Sequence, residues 1–432
     1  MYNTLISVLR CRGLKYICVA PTGLAASLLQ GGKTVHSKFK LSFNMTNETT
    51  ANIPQQSEEA KNIGASSILI WDEISMCSKY MLDAINKFYQ DLLNDKTRPF
   101  GGAVVVCGGD FRQQPPVIKR GKKPDVLRIC AKKSDVWRKF TQICLTENMR
   151  ARESDKSFCN WLLKIGNGDE GGWAEISPET LLDSCKVPEG TSPFDALIEF
   201  VFGLDSTNNG EISNEQLSSS AILCARNEHT HVINQEVLSR LPGEMISRYS
   251  VDSALTPDDT PAEYPEEFLH SLYPSGMPPH ELKLKVGCVV MLLRNTNSSR
   301  GLCNGTRLIV QRVGDKVLDC TILSGVRKGQ RVYIPKVKLE PSDLELGFRF
   351  FRYQFPVRLS YSMTIHKAQG QSLERVVVYL ANDAFTHGQL YTALSRVKNG
   401  KYLKIDTCGR HEVDDAGRFY IRNIVYPELL RA

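Results

Sequence analysis

No two cysteines of this sequence stand at Cys-x-x-Cys spacing, although it holds thirteen, and none joins a histidine cluster at zinc-ligand spacing. That pattern argues against a disulfide framework or a structural zinc and fits a reducing compartment. No apolar run approaches the ~20 residues that a membrane span needs. Charge interrupts the segment Met1 to Arg12 and no small-residue cleavage site follows it, so no secretory leader is expected. Neither sign of charge dominates: 54 basic against 47 acidic residues leave a net +7. So mild a surplus permits a nucleic-acid partner without requiring one. The expectation is an intracellular, soluble protein with no membrane partner. At 432 residues it is long enough for two or three domains.

What is present begins with Ile68-Leu69-Ile70-Trp71-Asp72-Glu73. Four apolar residues run into two carboxylates, as when a parallel strand covered on both faces ends at a ligand crevice. There an aspartate can hold Mg²⁺ on nucleotide phosphates, and a glutamate can take a proton from attacking water. Two further strands end in the same way. Tyr16 to Ala20 leads into Pro21-Thr22-Gly23, and Ala103 to Cys107 leads into Gly108-Gly109-Asp110-Phe111-Arg112-Gln113. Three successive strands with glycine- or acid-bearing ends point to a phosphate-handling α/β domain. Gln113 is suited to orient water or sense a γ phosphate. Gly31 to Ser37 reads as a polar loop, and Met81, Leu82, Ile85, Phe88 and Tyr89 form the core stripe of a helix.

The middle of the chain is less informative. His229 and His231 open a helical run after the strand Ala221 to Ala225, and read as a surface pair rather than metal ligands. Asp252 to Leu282, with its prolines, is expected to be an irregular excursion without a core of its own. From Lys283 short strands alternate with glycine-bearing turns, which suggests a small barrel inserted in a second domain. A strand over Phe355 to Tyr361 precedes Thr364-Ile365-His366-Lys367, and a helix near His387 to Arg396 brings Arg396 toward a phosphate.

In order, Ala-Pro-Thr-Gly at 20–23, Gly-Gly-Lys-Thr-Val-His-Ser at 31–37, Asp-Glu-Ile-Ser-Met at 72–76 and Gly-Asp-Phe-Arg-Gln at 109–113 form a constellation. It continues with Met-Leu-Leu-Arg-Asn at 291–295, Gly-Leu-Cys-Asn-Gly-Thr-Arg at 301–307, Thr-Ile-His-Lys-Ala-Gln-Gly-Gln-Ser at 364–372 and Gln-Leu-Tyr-Thr-Ala-Leu-Ser-Arg at 389–396. The set resembles the petite-integration-frequency (PIF) family of superfamily-one DNA helicases, most of all the Helitron-type members, over nearly the whole chain. The resemblance implies an α/β fold of two RecA-like parallel-sheet domains, with an SH3-like insert at 301–340. The first domain would span 1–150, a connecting region 151–220, and the second domain 221–300 with 341–432. It implies ATP and Mg²⁺ as cofactors and single-stranded and forked duplex DNA as partners. The activity implied is 5′-to-3′ unwinding in repair, recombination, telomere maintenance or transposon replication, in the nucleus or in mitochondria.

By the same resemblance, Asp72 is the Mg²⁺ ligand, Glu73 the base and Gln113 the γ-phosphate sensor. Arg150 and Arg396 are arginine fingers, and Gly370 and Gln371 lie beside the nucleotide. The strand contacts fall on Pro21, Thr22, Gly23, Thr34, His36, Thr364, His366 and Lys367. One departure stands out. The family's loop Gly-x-x-Gly-x-Gly-Lys-[Ser/Thr] occurs nowhere in these residues, although such a loop supplies the amides and lysine that cradle phosphates. The expectation is a fragment of a longer enzyme; the alternative is a single-strand-binding protein that does not hydrolyse ATP.

Overall fold

The computed structural model describes residues 1–118, 120–146, 156–182, 184, 192–204, 214–256, 258, 260–297, 300–323, 325, 327–341 and 347–431. Contacts group these residues into two compact units. Unit 1 comprises Met1–Leu181, Ala368–Ser372 and Leu380–Ala432, and unit 2 comprises Leu182–Lys367 and Leu373–Tyr379. Leu380–Ala432, expected from sequence to complete the second domain, thus groups with unit 1.

Unit 1 is built on a four-stranded parallel sheet. Its strands are β1 (Tyr16–Ala20), β2 (Lys33–Thr34), β3 (Ile68–Trp71) and β4 (Val104–Cys107), in the order β2-β1-β3-β4. Side chains alternate across it, as the period of a strand requires. Ile17, Val19, Leu69 and Trp71 enter one apolar cluster, and Cys18, Ile68 and Ile70 enter the other. Helix α1 (Tyr2–Cys11) covers the second cluster with Ile6 and Leu9. The first is covered by Met81, Leu82, Ile85, Phe88 and Tyr89 of a helix over Lys79–Leu92, the stripe read from the sequence. Ser78 caps that helix by accepting from the Met81 amide. Truncating a side chain buried as deeply as Ile85 is worth ~2–5 kcal/mol.

The polar loop expected over Gly31 to Ser37 is instead an edge strand followed by helix α2 (Val35–Phe39). Thr34 makes the difference. It ends β2 paired with Ala20 and caps α2 by accepting from the Ser37 amide.

Unit 2 holds its own parallel ladder, with Ser220–Cys224 between Ser362–Thr364 and Arg375–Tyr379. Its β-rich part is a five-stranded antiparallel sheet: Arg331–Pro335, Val317–Ile322, Arg307–Val313, Val289–Leu292 and Val357–Leu359, in that order. Three strands of the expected insert therefore share one sheet with residues on either side of it, and its fourth, Val337–Leu339, pairs with Arg349–Gln354 in another. Arg307, fully buried, ties this sheet to the parallel ladder. Its guanidinium donates to the carbonyls of Leu217, Ser218, Ser220 and Ser360 at 2.8–3.2 Å.

The excursion at 252–282 is not coreless. Val251–Leu255 pairs with Arg349–Gln354, and Ala254, Leu269 and Met277 pack with Leu339, Phe348 and Phe350. The proline count concealed this, because proline forbids long elements but not apolar anchors between them. Beneath the cluster the Arg352 and Asp252 side chains, 0% and 1% exposed, form an ion pair with Nη2–Oδ2 at 2.6 Å. Among the described residues no helix is long and apolar enough to cross a membrane.

Candidate functional site

The carboxyl ends of β1, β3 and β4 meet in unit 1. The Asp72 amide donates to the Val19 carbonyl, the Gly108 amide to the Trp71 carbonyl, and the Ile74 amide to the Gly108 carbonyl. Asp72 and Glu73 therefore leave the sheet between the Pro21-Thr22-Gly23 loop and the Gly108-Gly109-Asp110 loop. Glu73 sits in the left-handed region at φ 53°, ψ 42°. A non-glycine residue held there is strained, and such strain concentrates at functional sites. Gly109 lets the next loop approach: a Cβ would lie 3.0 Å from the Ser75 nitrogen and 3.1 Å from that of Ile74.

Burial raises the Asp72 carboxyl above its ordinary value, opposed by hydrogen bonds from the Glu73 amide at 2.9 Å and from the Tyr2 hydroxyl. A carboxylate disfavoured by burial gains most from a cation. The Gln113 side-chain oxygen is buried with no hydrogen-bond partner among the described residues. A buried orphan acceptor suits a group that arrives with its own proton, such as a water. These two observations fit a nucleotide–Mg²⁺ group: Asp72 offers a carboxylate that could hold the ion and Gln113 an acceptor that could meet a water.

The loop bearing Gln113 is held from the helix Gln389–Leu394. Tyr391 hydrogen-bonds Asp110, the Gln114 amide donates to Thr392 Oγ1 at 3.2 Å, and His387 Nε2 meets the Phe111 carbonyl at 2.8 Å. Neither Tyr391 nor His387 was singled out from sequence; their spacing from Arg396 was the available signal. Arg396 is 1% exposed, with Nε donating to the Thr392 carbonyl and Nη1 to the Gln371 carbonyl at 3.2 Å. Gly370 takes φ 81°, which turns the chain toward Gln371. Arg396, Gly370 and Gln371 are thus brought together, while Arg150 lies outside the described residues.

The expected strand contacts divide between the units. In unit 1, Thr22 caps the helix Gly23–Leu28 by accepting from the Ala25 amide at 3.2 Å, with Pro21 and Gly23 on either side. His36 stacks on Phe43 at 4.8 Å, and Phe43 is 87% exposed. Phe43 was not singled out from sequence, because a lone phenylalanine in a polar stretch carries no pattern. In unit 2, Thr364 ends its strand and His366 and Lys367 open the short helix Ile365–Ala368. His366 Nδ1 is buried without a hydrogen-bond partner among the described residues, and burial lowers its pKa. Burial, then the Arg358 charge, pushes Lys367 down to about 7.

The parallel sheets are RecA-like in architecture, and the strand ends of unit 1 gather Asp72, Glu73 and the loop that bears Gln113. Three family models match in order: PIF1-like helicase over residues 1–173, the 2B domain of the DNA helicase Pif1 over 267–313, and a helicase model over 353–425. The ATP-dependent DNA helicase PIF1 of Xenopus laevis is 27% identical over 402 residues, covering 89% of this chain and 54% of the relative. The protein of the same name from Rattus norvegicus is 29% identical, covering 78% of this chain and 46% of the relative. A crystal structure of Bacteroides Pif1 bound to ssDNA superposes with TM-score 0.64 at 25% identity, covering 92% of this chain and 84% of that one. A structure of two coordinating Pif1 helicases at forked double-stranded DNA gives 0.63 at 26%, covering 94% and 84%. The chain is thus similar to PIF1-like helicases over most of its length, and it spans about half the length of the curated relatives it matches.

Proposed function

We propose that this chain is the motor portion of an ATP-dependent DNA helicase, moving 5′ to 3′ on single-stranded DNA and opening forked duplex. The observation that carries the reading is the convergence of Asp72, strained Glu73 and orphaned Gln113 at adjoining strand ends in unit 1. Support comes also from relatives named ATP-dependent DNA helicases and from a Pif1 neighbour bound to ssDNA.

In this reading Asp72 holds Mg²⁺, which when bound neutralises charge on the nucleotide phosphates. Glu73, turned out of the strand by its left-handed backbone, accepts the proton of the attacking water. Gln113 orients that water through its free oxygen. Arg396 follows directly on the helix whose Tyr391 holds the Asp110 loop and bonds back to its Thr392 carbonyl, so its position is coupled to that of Gln113. The single strand lies along Thr22, Thr34 and His36 in unit 1, and along Thr364, His366 and Lys367 in unit 2. Exposed aromatics such as Phe43 stack on bases at ~1–3 kcal/mol each.

The test is ATP hydrolysis with and without single-stranded DNA, on the 432-residue chain and on one carrying a Gly-x-x-Gly-x-Gly-Lys-Thr loop ahead of Tyr2. We expect DNA-stimulated turnover only with the loop, and a loss of roughly 10²- to 10⁴-fold in Glu73→Gln. Strand binding without hydrolysis in either protein favours the second reading, a single-strand-binding protein.

A further inference from the structure

In unit 2 the helix Asn227–Arg240 turns Thr230, His231 and Asn234 toward a cavity of about 160 Å³. Its opposite walls are the Tyr273–Met277 loop, Lys283 and Arg358. At ~30 Å³ per water the space holds around five waters. That suits one planar ring or one phosphate better than a drug-sized ligand.

Arg358 is the unusual member. Burial lowers its pKa, with only the Tyr273 hydroxyl opposing that shift. Among the described residues no carboxylate pairs with it. The two fully buried arginines of this unit are matched, Arg352 by the Asp252 carboxylate and Arg307 by four carbonyls, whereas Arg358 is partly buried and faces the cavity. A cation partly withdrawn from water and without a counter-charge is costly, so an anion entering this cavity gains a partially desolvated partner.

The place of the cavity says which anion. Asn234 Oδ1 accepts from the amides of Tyr361 and Ser362 at 2.8 and 2.9 Å, and its Nδ2 donates to the Ser362 carbonyl at 2.9 Å. The helix that lines the cavity is thereby clamped to the strand that delivers Thr364. The Arg358 charge acts on His231 in the cavity and on Lys367 beyond Thr364. At the mouth, the rings of Tyr273 and His231 stand 5.6 Å apart, and Tyr273 is 54% exposed. A guanidinium beside an exposed ring is the pairing that binds single-stranded nucleic acid, charge to backbone and ring to base.

We propose that this cavity seats one phosphate of the bound single strand on Arg358, with the base of that nucleotide against Tyr273 at its mouth. The assignment rests on the reading of unit 2 as a DNA-binding unit. A free mononucleotide offers the same chemistry, and the experiment separates the two sources.

Binding of a labelled oligo-dT is measured by anisotropy across a salt series for the parent chain, Arg358→Met, Arg358→Lys and Tyr273→Ala. Loss of one phosphate contact in Arg358→Met lowers the slope of log K against log salt by about 0.7, and Arg358→Lys restores it. Tyr273→Ala, at an exposed position that folding tolerates, weakens binding about tenfold at unchanged slope. If the parent binds oligo-dT and Arg358→Met and Tyr273→Ala match it in affinity and slope, the seat is wrong while the DNA-binding reading stands. If the parent binds no strand, both fall. Binding of dAMP that Arg358→Met abolishes, with oligo-dT binding unchanged, overturns the strand in favour of a free nucleotide.

Discussion

The Tyr391 hydroxyl donates to Oδ2 of Asp110 at 2.8 Å, joining positions 281 residues apart. Asp110 opens the loop that carries Gln113, so one phenol sets where that glutamine stands. Tyr391→Phe is expected to lower kcat about tenfold with little change in KM, because small misplacements of positioned groups cost rate more than binding. It should also destabilise the fold by ~1 kcal/mol. Steady-state kinetics on the loop-bearing protein check this, and an unchanged kcat means the loop is held by its other contacts.

Asp72 gives a stability test. Its folded pKa lies above the unfolded value, with burial the leading cause. The folded state therefore holds the proton more tightly, and the group costs stability above both values. That cost fades as pH falls through the folded value. Asp72→Asn should melt higher than the parent at pH 7.5, with the gap closing toward pH 4. Mg²⁺ should raise the melting temperature of the parent and leave that of the variant alone. A lower melting temperature for Asp72→Asn at pH 7.5 would show that the hydrogen bonds to the carboxylate outweigh its burial.

Lys367 predicts a pH effect on binding. With its ammonium pushed down to about 7, the charged form grows as pH falls from 8 to 6.5. DNA phosphates select that form, so single-strand affinity should rise a few-fold over this interval. His366 and His231 are both depressed below the ordinary histidine value and add little there. Anisotropy titrations of Lys367→Met should be flat in pH, and a persistent slope assigns the effect to another group.

The Arg352–Asp252 pair should be expensive to break. Asp252→Ala strands a fully buried guanidinium, for an expected loss of ~3–5 kcal/mol in urea unfolding. The carbonyls of Leu269, Leu272 and Pro278 would still accept from Arg352. A loss under ~1 kcal/mol would mean those carbonyls suffice.

The parallel sheet of unit 1 was legible because such strands spell themselves out. Tyr16 to Ala20, Ile68 to Trp71 and Val104 to Cys107 are short apolar runs whose polar ends mark the crevice. Thr34 was misread because a two-residue edge strand leaves no periodicity, and its capping hydroxyl announces itself only beside the Ser37 amide. The excursion at 252–282 was misread because Leu269 and Met277 find their partners, Phe348 and Phe350, far along the chain. Tyr391 and His387 were missed for the same reason, as their partners Asp110 and Phe111 lie more than 270 residues away. Sequence patterns report neighbours along a strand or helix, and side-chain bonds between distant loops leave no such trace.

Arg307 gives the β-rich segment a different standing from that of a removable cassette. The segment read as an insert contains the one side chain that gathers carbonyls from 217–220 and from 360. Excising 301–340 would orphan those four acceptors and leave the first strand of the parallel ladder poorly anchored. Folding carries the same dependence. The bond from Arg307 to Leu217 closes 90 residues of chain, the kind of non-local contact whose loop-closure entropy slows folding. Grafting that segment onto another scaffold, or trimming it to shrink this one, trades away the bolt along with the plate.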